Sequence, residues 1–429
     1  MLLRATRLSA IANAVRNLFR GASLNVNFAG ADTLDPRITF TRASTATRVN
    51  ASGVLESVAI DGPRFDYDPV TLAPKGLLIE EQRTNGIRNN TMVGAVAGTP
   101  GTLPTNWVVS GLGTLVQQVI GTGIDNGIAY VDIKFSGTTS STSLSLRFET
   151  SSSTPASDGQ SWASSAHTAV IGGTTSNISA IGSNANLYSA SAFVGGITFA
   201  GFVFNTSPQM RRSAGAGTIA TATTAFIQSQ IFLSFASGVP IDITLRIGLP
   251  QLEQGAFATS PIPTTTAAAT RAADVAVMTG ANFSSWYNAA TGAIFADYAT
   301  TQQTGFPAIA SASDGGNTNR IQISHVSSAR RPVVTAGGVA QWDTNGGVLG
   351  SASSGVFAKF ALAYEAANYA AAVNGGTPST QTSGTVPSGL NRLALGADGA
   401  SGNFINGHLR RISYFPRRLT SSELEGITK

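Results

Sequence analysis

The sequence predicts an all-β protein of tandem β-sandwich or jelly-roll domains, preceded by a short N-terminal α-helix and a β-rich connector. Two observations carry this prediction. Apolar and polar residues alternate over short runs, as in SLNVNFAG, where Leu24, Val26 and Phe28 share one face. Turn residues separate these runs throughout, and the 429 residues include 47 glycines and 17 prolines.

The first twenty residues show a sustained apolar periodicity that is typical of an α-helix. Apolar residues recur there at spacings of three and four and fall on one helix face: Leu8, Ile11, Val15 and Leu18, with Phe19 beside them. We interpret residues 1–21 as a docking or oligomerising helix, because the spacings also fit two heptads. Three alternatives stay open: a helix packed on its own domain, a signal peptide, and a helix on a membrane surface.

The rest of the chain divides into three parts. Residues 22–88 read as a β-rich connector, and residues 89–268 as a first sandwich of short alternating strands. The low-complexity run PIPTTTAAATRAADVA marks a domain boundary, after which residues 269–429 form a second sandwich. Near the end, Thr420 followed by Glu423 predicts a capping box and one short closing helix.

Composition excludes several classes of partner and site. Charged residues make up 11% of the chain and the net charge is +5, without runs of Lys and Arg among aromatic residues, so nucleic-acid binding is not expected. Cysteine is absent and the three histidines are far apart, which excludes disulfides and thiolate metal sites. No apolar run reaches the ~18 residues of a membrane span. Such a neutral, polar surface is common in fibres and in exterior domains that meet sugars.

The motif PKGLLIEEQRTN concentrates charge in a chain that has little of it. Glu80 and Glu81 are adjacent on a predicted strand, and adjacent strand residues point to opposite faces, so the two carboxylates cannot converge on one substrate. We interpret them as structural, paired with nearby arginines such as Arg83, Arg42 or Arg48.

The acidic residues stand in no recognisable catalytic motif. The sequence contains no G-x-S-x-G, H-E-x-x-H or phosphate-loop motif. Glycoside hydrolysis needs two carboxylates ~5–10 Å apart. The available candidates are Asp61, Asp66, Asp68, Glu80, Glu253 and Asp297. We therefore predict that the protein is not an enzyme, and keep polysaccharide cleavage as the alternative.

A sugar-binding protein needs aromatic platforms and polar groups near turns, because sugar rings stack on aromatic faces. Trp342 lies beside a turn in AQWDTNGG, and Trp162 follows a polar loop. The competing interpretation is that such rings fill a sandwich core. The candidate glycan-binding residues are Trp342, Trp162, Tyr369, Asp343 and Asn345.

Three stretches resemble known families. FALAYEAANYAAAVNGG (360–376) and GHLRRISYFPRRLTSSELEGI (407–427) resemble segments of concanavalin A/laminin-G-like jelly rolls. Residues 89–265 resemble a carbohydrate-binding-module sandwich, and the run IGLPQLEQGAFATSPIPT is close to an ending common in phage proteins. Residues 40–85, from FTRAST to EEQRTN, resemble a block of bacteriophage tail, fibre and spike proteins that precedes such sandwiches.

These resemblances imply a bacteriophage virion protein of the tail-fibre, spike or head-fibre type. Such a protein docks to other virion proteins through its N-terminal region, presents its sandwiches to host surface polysaccharide, and is made in the host cytoplasm. The family analogy also implies a homotrimer. The alternative is a purely structural head, collar or tail component. No cofactor is expected, although related jelly rolls often hold calcium, for which Asp314, Asp343 and Asp398 are candidates.

Overall fold

The protein is almost entirely β-structure. The computed structural model describes residues 19–344 and 349–429, most of which lie in antiparallel strands and the turns that join them. This confirms the predicted all-β sandwich class. The chain forms two compact units. The first takes in the residues up to Gly53, Val58–Glu81 and Ala272–Lys429, and the second takes in Val54–Ser57 and Gln82–Arg271.

The elements follow one another in chain order. The first strands are β1 (Leu24–Asn27), β2 (Thr39–Thr41), β3 (Ala46–Val49), β4 (Leu55–Val58), β5 (Phe65–Tyr67), β6 (Pro74–Ile79) and β7 (Arg83–Asn85). The middle strands are β8 (Val108–Ser110), β9 (Val116–Asp125), β10 (Ile128–Thr138), β11 (Ser143–Arg147), β12 (Thr154–Pro155), β13 (Ser161–Gly173), β14 (Ile178–Ser189), β15 (Ala192–Thr198), β16 (Arg211–Thr218), β17 (Phe226–Phe235), β18 (Pro240–Gln254) and β19 (Ala269–Arg271).

The last part of the chain adds two short helices to its strands. It comprises β20 (Val275–Thr279), α1 (Ala281–Ser284), β21 (Thr291–Thr300), β22 (Ala308–Ser313), β23 (Arg320–Val326), β24 (Ala329–Ala336), β25 (Val339–Asp343), β26 (Ala358–Glu365), β27 (Tyr369–Val373), β28 (Ser379–Gln381), β29 (Arg392–Leu395), β30 (Gly407–Phe415) and α2 (Ser421–Thr428). Neither helix among the described residues is both long and apolar enough to cross a membrane.

The first unit is a sandwich of two antiparallel sheets. One sheet has the order β28-β27-β26-β21-β30-β6-β5, and β1 also pairs with β30. The other sheet has the order β2-β20-β29-β22-β23-β24-β25. Alternate residues of both sheets meet in one apolar core, for example Ile294, Leu362, Ile321 and Leu393. The period of two in the sequence is therefore the direct cause of this architecture.

The second unit is a smaller sandwich with its own core. Its sheets have the orders β16-β13-β18-β10-β9 and β15-β14-β17-β11-β8, with β12 also paired to β17. Residues such as Val131, Leu146, Ile231 and Leu245 fill the space between them. The first and last strands of this unit, β7 and β19, pair with each other, which holds together the two ends of the segment.

The stretch that we expected to be a separate connector differs from the prediction. Strands β1 and β6 pair with β30, β5 pairs with β6, and β2 pairs with β20. Residues 22–81 therefore supply strands to the sheets formed by residues 272–429, and the second unit is an insertion in the first. The sequence did not reveal this, because β1, β2 and β6 have partners that follow hundreds of residues later.

The outer side of the eight-stranded sheet is covered by helix α2. Alanines of β21, β26 and β27 leave room for Leu424 and Ile427 of the helix to pack closely. The predicted capping box is confirmed: the Thr420 side chain accepts from the Glu423 N–H, and the Glu423 carboxylate accepts from the Thr420 N–H.

The predicted docking helix is described only at its last apolar residue. Leu8, Ile11, Val15 and Leu18 lie outside the described residues. The ring of Phe19 packs on the outer side of the eight-stranded sheet, with its centroid 5.0 Å from that of Phe295. Phe19 thus belongs to its own domain's packing.

Glu80 belongs to a buried network of ion pairs. The carboxylate of Asp274, with no exposed side-chain surface, binds both Arg42, at 3.0 Å, and Arg64. Arg64 also binds Glu80 at 2.8 Å between Nη1 and Oε2. The predicted structural role of Glu80 agrees with this pairing, and Arg64 is a partner that the sequence did not indicate.

The network also satisfies backbone groups of the loops around it. Arg42 donates to the carbonyl oxygens of Ala59 and Gly62 at 2.7 and 2.9 Å, and the Glu80 N–H donates to Asp274 at 2.9 Å. Burial would lower the pKa of the Arg64 guanidinium, but Asp274 and Glu80 outweigh burial and raise it. Arg64 therefore stays charged throughout the accessible pH range.

We expect Asp274→Ala to lower the free energy of unfolding by about 3–5 kcal/mol, because it leaves two buried guanidinium groups without their shared carboxylate. Urea denaturation followed by fluorescence measures this change. The matched control is Asp35→Ala, which removes the partly exposed Arg37–Asp35 pair and should change stability by about 1 kcal/mol or less. Equal effects of the two substitutions would contradict the importance of the network.

Candidate ligand-binding face

The structure places the three aromatic candidates inside the sandwich cores. The side chain of Trp162 is 5% exposed, that of Trp342 is 6% exposed and that of Tyr369 is fully buried. The rings of Trp342 and Tyr369 lie 6.0 Å apart within the core of the first unit. Rings so placed pack against other side chains and offer no free face to a sugar, so we assign them to the cores.

The two polar candidates have different outcomes. Asp343 is half-buried, and its Oδ1 lies 3.5 Å from Nη1 of Arg331. Asn345 lies outside the described residues. Among the described candidates for glycan binding, Asp343 is thus the residue that lies next to a polar surface.

Of the predicted calcium ligands, Asp314 and Asp398 lie in loops that their carboxylates organise, and Asp343 is the last residue of β25. Asp398 accepts four hydrogen bonds, from the N–H groups of Ala400 and Gly402 and the side-chain amides of Asn317 and Asn403. Although burial would raise it, the pKa of Asp398 lies below its usual range because of these donors. Four donors use the acceptor positions of a carboxylate. No group of three acidic or histidine residues suited to a metal occurs in the described part of the chain, and calcium stays an untested prediction.

The polar surface beside Asp343 is the outer side of the seven-stranded sheet. On β23, Ile321 and Ile323 enter the core, so Arg320, Gln322 and Ser324 point to the outer side. The same alternation turns the side chains of neighbouring strands outward: Arg392 of β29, Ser311 and Ser313 of β22, and Arg331 and Thr335 of β24. We call this surface the arginine face, defined by Arg320, Arg331, Arg392, Ser311 and Gln322.

Strand register arranges these residues in rows across the sheet. Arg392 pairs with Ser313, and Ser313 pairs with Arg320. Since neighbouring strands lie ~4.8 Å apart, the two arginine backbones are roughly 10 Å apart. The next row contains Ser311 opposite Gln322. Arg331 stands opposite Ser324, one row further on. Two hydrogen-bonding groups thus lie between rows that carry arginines.

The central row contains polar atoms that have no partner in the described part of the chain. Ser311 and Gln322 are 0% and 2% exposed. Among the residues that the structure describes, neither the Ser311 hydroxyl nor Oε1 of Gln322 has a hydrogen-bond partner. Such atoms cost free energy in a folded protein unless something pairs with them. A partner for these two atoms would have to come from water or from a group beyond the described residues.

Arg320 and Arg392 are half-buried, Arg331 is buried, and Arg320 is close to the like charge of Arg331. Arg320 donates to Oδ1 of Asn317 at 2.8 Å. Burial, followed by the charge of Arg331, lowers the pKa of Arg320, while Asp398 and Asp343 act in the opposite direction. A bound anion would relieve this repulsion, because it places negative charge between the guanidinium groups.

The margin of the arginine face contains an exposed ring and a tight turn. The Phe306 side chain is 50% exposed, and the guanidinium carbon of Arg331 lies 5.4 Å from its ring centroid. At the other end, a Cβ on Gly315, whose φ is +101°, would lie 3.2 Å from the guanidinium of Arg392. A side chain there would press on Arg392, so glycine keeps the arginine in place.

The arginine face was not predicted, although the sequence contains a pattern of polar residues that indicates it. NRIQISHV was assigned to a strand, and its alternate residues Arg320, Gln322 and Ser324 are unusually polar for the middle of a sheet. Trp342 was predicted instead because it is aromatic. It lies on β25, two strands from β23 in the sheet, and its side chain points into the core.

Comparisons with known proteins bear on the fold. No family model matches the chain, and no curated protein matches it. Among solved structures, it is similar to the CBM40 of the Ruminococcus gnavus IT-sialidase bound to alpha2,6 sialyllactose, at 16% identity over 34% of this chain and 88% of that chain, with a TM-score of 0.31. It is also similar to the CBM22 tandem of Paenibacillus barcinonensis Xyn10C, at 8% identity over 77% and 99%, with a TM-score of 0.25.

A third similar structure is the Trypanosoma rangeli sialidase in complex with the inhibitor DANA. The identity is 11% over 78% of this chain and 55% of that chain, with a TM-score of 0.27. Sialidases are enzymes, and their presence here overturns the prediction that the chain is not an enzyme, which is withdrawn. At these identities and TM-scores the likeness assigns neither a ligand nor a reaction to this chain.

We expect Ser311→Ala to leave the free energy of unfolding unchanged or to raise it, because it removes a buried hydroxyl that lacks a partner, a group that costs about 1–3 kcal/mol. Ser324→Ala is the matched control on the same face. Its hydroxyl donates to Pro307 and His325 carbonyls at 3.1 and 3.2 Å, so its loss should cost ~1 kcal/mol. Urea titrations of both variants provide the measurement. Destabilisation by Ser311→Ala equal to that of the control would show that the hydroxyl is satisfied in the fold.

Proposed function

We propose that the protein binds an anionic polysaccharide through the arginine face. The single observation that carries this proposal is the combination of Arg320, Arg331 and Arg392 with the unpartnered acceptors Ser311 and Gln322 on one side of one sheet. A guanidinium group matches the planar geometry of a carboxylate or sulfate and binds it through two parallel hydrogen bonds. The central acceptors suit sugar hydroxyls, which donate.

The ligand is expected to contain both acidic groups and hydroxyls. Acidic groups engage the arginines, and the long arginine side chains can rotate toward them. This movement would open the way from solvent to Gln322 and Ser311, which are buried in the free protein. Phe306, exposed beside Arg331, offers an apolar surface for the C–H face of a sugar ring. An acidic polysaccharide satisfies all three requirements at once.

Affinity electrophoresis through gels that contain polygalacturonate or neutral dextran tests the proposal. We expect the wild-type protein to be retarded by polygalacturonate and not by dextran. The double variant Arg320→Ala/Arg392→Ala should bind about tenfold more weakly or worse, because charge-assisted hydrogen bonds contribute about 1.5–3 kcal/mol each. Lysine at both positions should restore part of the binding, since it keeps the charge and loses the planar fork.

Arg37→Ala is the control for this experiment. It removes a positive charge from a surface pair elsewhere in the first unit, so it should leave retardation almost unchanged. Added salt should weaken wild-type binding, since it screens charges at an accessible surface. Equal retardation of the wild type and the double variant, or equal retardation by dextran, would contradict the proposal.

The setting of this activity in a bacteriophage virion is a second part of the proposal. It is supported by the sequence resemblances at 40–85, 247–264 and 360–427, and by the composition, which is low in charge. In this setting the protein is a fibre or spike subunit, homotrimeric by analogy, that docks to other virion proteins by its N-terminal region and attaches to host surface polysaccharide. A protein that enters particles but binds no host polysaccharide would instead be a structural head, collar or tail component.

Removal of residues 1–18 tests the docking part. We expect this deletion to abolish incorporation into particles while the melting temperature stays unchanged, because it retains Phe19, which packs on the sheet. The matched control is Phe19→Ala in the full-length chain, which should lower the melting temperature. Truncated protein that still assembles onto particles would overturn the docking proposal.

A further inference from the structure

A second polar site lies on the opposite sheet of the first unit. A cavity of about 240 Å³ opens on the outer side of the eight-stranded sheet, beside the end of α2. Its lining includes Asp297, Phe357, Lys359, Asn374, Arg410 and Lys429. We call it the Asp297 pocket. It shares no residue with the arginine face.

A β-bulge places the charges of this pocket. The register between β21 and β30 shifts at Asp297, so that Asp297 pairs with Arg411 and the next residue pairs with Leu409. Leu409 and Ile412 both enter the core. Arg410 and Arg411 therefore both remain on the outer side, next to Asp297. Bulges commonly redirect side chains in this way at functional sites.

Asp297 is the group in the pocket that the protein leaves unsatisfied. Among the described residues its carboxylate makes no hydrogen bond and no ion pair, although Lys359 and Arg411 are its direct neighbours across the strands. Burial raises the pKa of Asp297, and the charges of Arg410, Lys359 and Arg411 only partly oppose this effect. The carboxylate is thus partly withdrawn from water and has no hydrogen-bond partner among the described residues.

The neighbouring cations are engaged elsewhere. The Arg410 guanidinium carbon lies 3.3 Å from the ring centroid of Phe357. The guanidinium of Arg411 stacks on Phe19 at 4.5 Å and donates to Asn25. Lys359 donates to the backbone oxygen of Lys429. These contacts hold positive side chains around Asp297 without neutralising it directly.

This arrangement restricts the chemistry of a ligand. Asp297 accepts hydrogen bonds, so the ligand must donate them. A cationic ligand would be repelled by Arg410, Arg411 and Lys359, and the group that contacts the carboxylate itself cannot be anionic, because two negative charges in contact repel. Two adjacent hydroxyl groups can donate to the two oxygens of one carboxylate. The half-buried ring of Phe357 supplies an apolar surface, and the volume is below the ~300–1,000 Å³ of pockets for drug-sized ligands.

We propose that the Asp297 pocket binds a single neutral sugar residue, with two neighbouring hydroxyls donating to the Asp297 carboxylate and the sugar's C–H face against Phe357. This site is independent of the arginine face, and it would give the protein a second point of contact with a glycan. Its existence does not depend on the proposed function, because other residues on another sheet form the pocket.

Saturation-transfer NMR with methyl glycosides of glucose, galactose, mannose and N-acetylglucosamine tests this proposal on the full chain. We expect at least one glycoside to bind, and titration of that glycoside to show about tenfold weaker binding by Asp297→Asn. The double variant Arg320→Ala/Arg392→Ala should bind it as the wild type does. Absence of binding by all four glycosides, or equal binding by Asp297→Asn, would overturn the proposal.

Stability supplies a second readout that a merely structural aspartate would not give. The folded-state pKa of Asp297 is raised above its ordinary value of 3.8, so the folded protein loses stability as pH rises through the interval between these values. Asp297→Asn removes the unpaired charge and keeps the shape. It should therefore raise the melting temperature at pH 7, and the difference should vanish below pH 3.8, where both states are protonated.

The charges that face Asp297 from β26, β30 and the end of α2, on Lys359, Arg410, Arg411 and Lys429, do not titrate in this range. A lower melting temperature of Asp297→Asn at pH 7 would identify the carboxylate as a structural group and overturn the proposal.

Discussion

The carboxylate of Asp274, buried between the guanidinium groups of Arg42 and Arg64, is the interaction on which the first unit depends. It joins positions 232 residues apart, and the backbone N–H of Asp274 also donates to the carbonyl of Glu80 at 2.9 Å. The chain leaves the first unit just after Glu80 and returns just before Asp274. The network therefore holds, within the first unit, the two chain positions between which the second unit is inserted.

With the core and these ends secured, the first unit can tolerate unsatisfied groups on its outer surfaces. The seven-stranded sheet presents three arginines around Ser311 and Gln322, and the eight-stranded sheet presents Asp297 at a bulge. The buried arginines of the network have their carboxylates within hydrogen-bond distance, whereas the Ser311 hydroxyl, Oε1 of Gln322 and the Asp297 carboxylate have no hydrogen-bond partner among the described residues. Natural proteins retain destabilising polar groups mainly where binding requires them, which is the physical basis for the proposal that these groups meet a ligand.

Local patterns in the sequence were sufficient for the fold class and insufficient for its topology. The alternation in SLNVNFAG and NRIQISHV predicted strands, and the spacing of Thr420 and Glu423 predicted a capped helix. The partners of β1 and β6 could not be predicted, since β30 follows them by more than 300 residues. The same limit applied to Glu80, whose partner Arg64 is not its neighbour along the strand.

Trp342 and Tyr369 are core residues because alternation turns them inward. The arginine face, by contrast, is formed by residues on several strands that only the strand register brings together.

The most direct test of the arginine face is a crystal structure of the full chain with an oligosaccharide of galacturonic acid. Our account predicts a sugar carboxylate within hydrogen-bond distance of the guanidinium groups of Arg320 or Arg392, and a sugar hydroxyl that donates to Oε1 of Gln322. It also predicts that the arginine side chains differ in rotamer from the free protein. Oligosaccharide bound only at another surface, with Gln322 and Ser311 still unpartnered, would contradict the account.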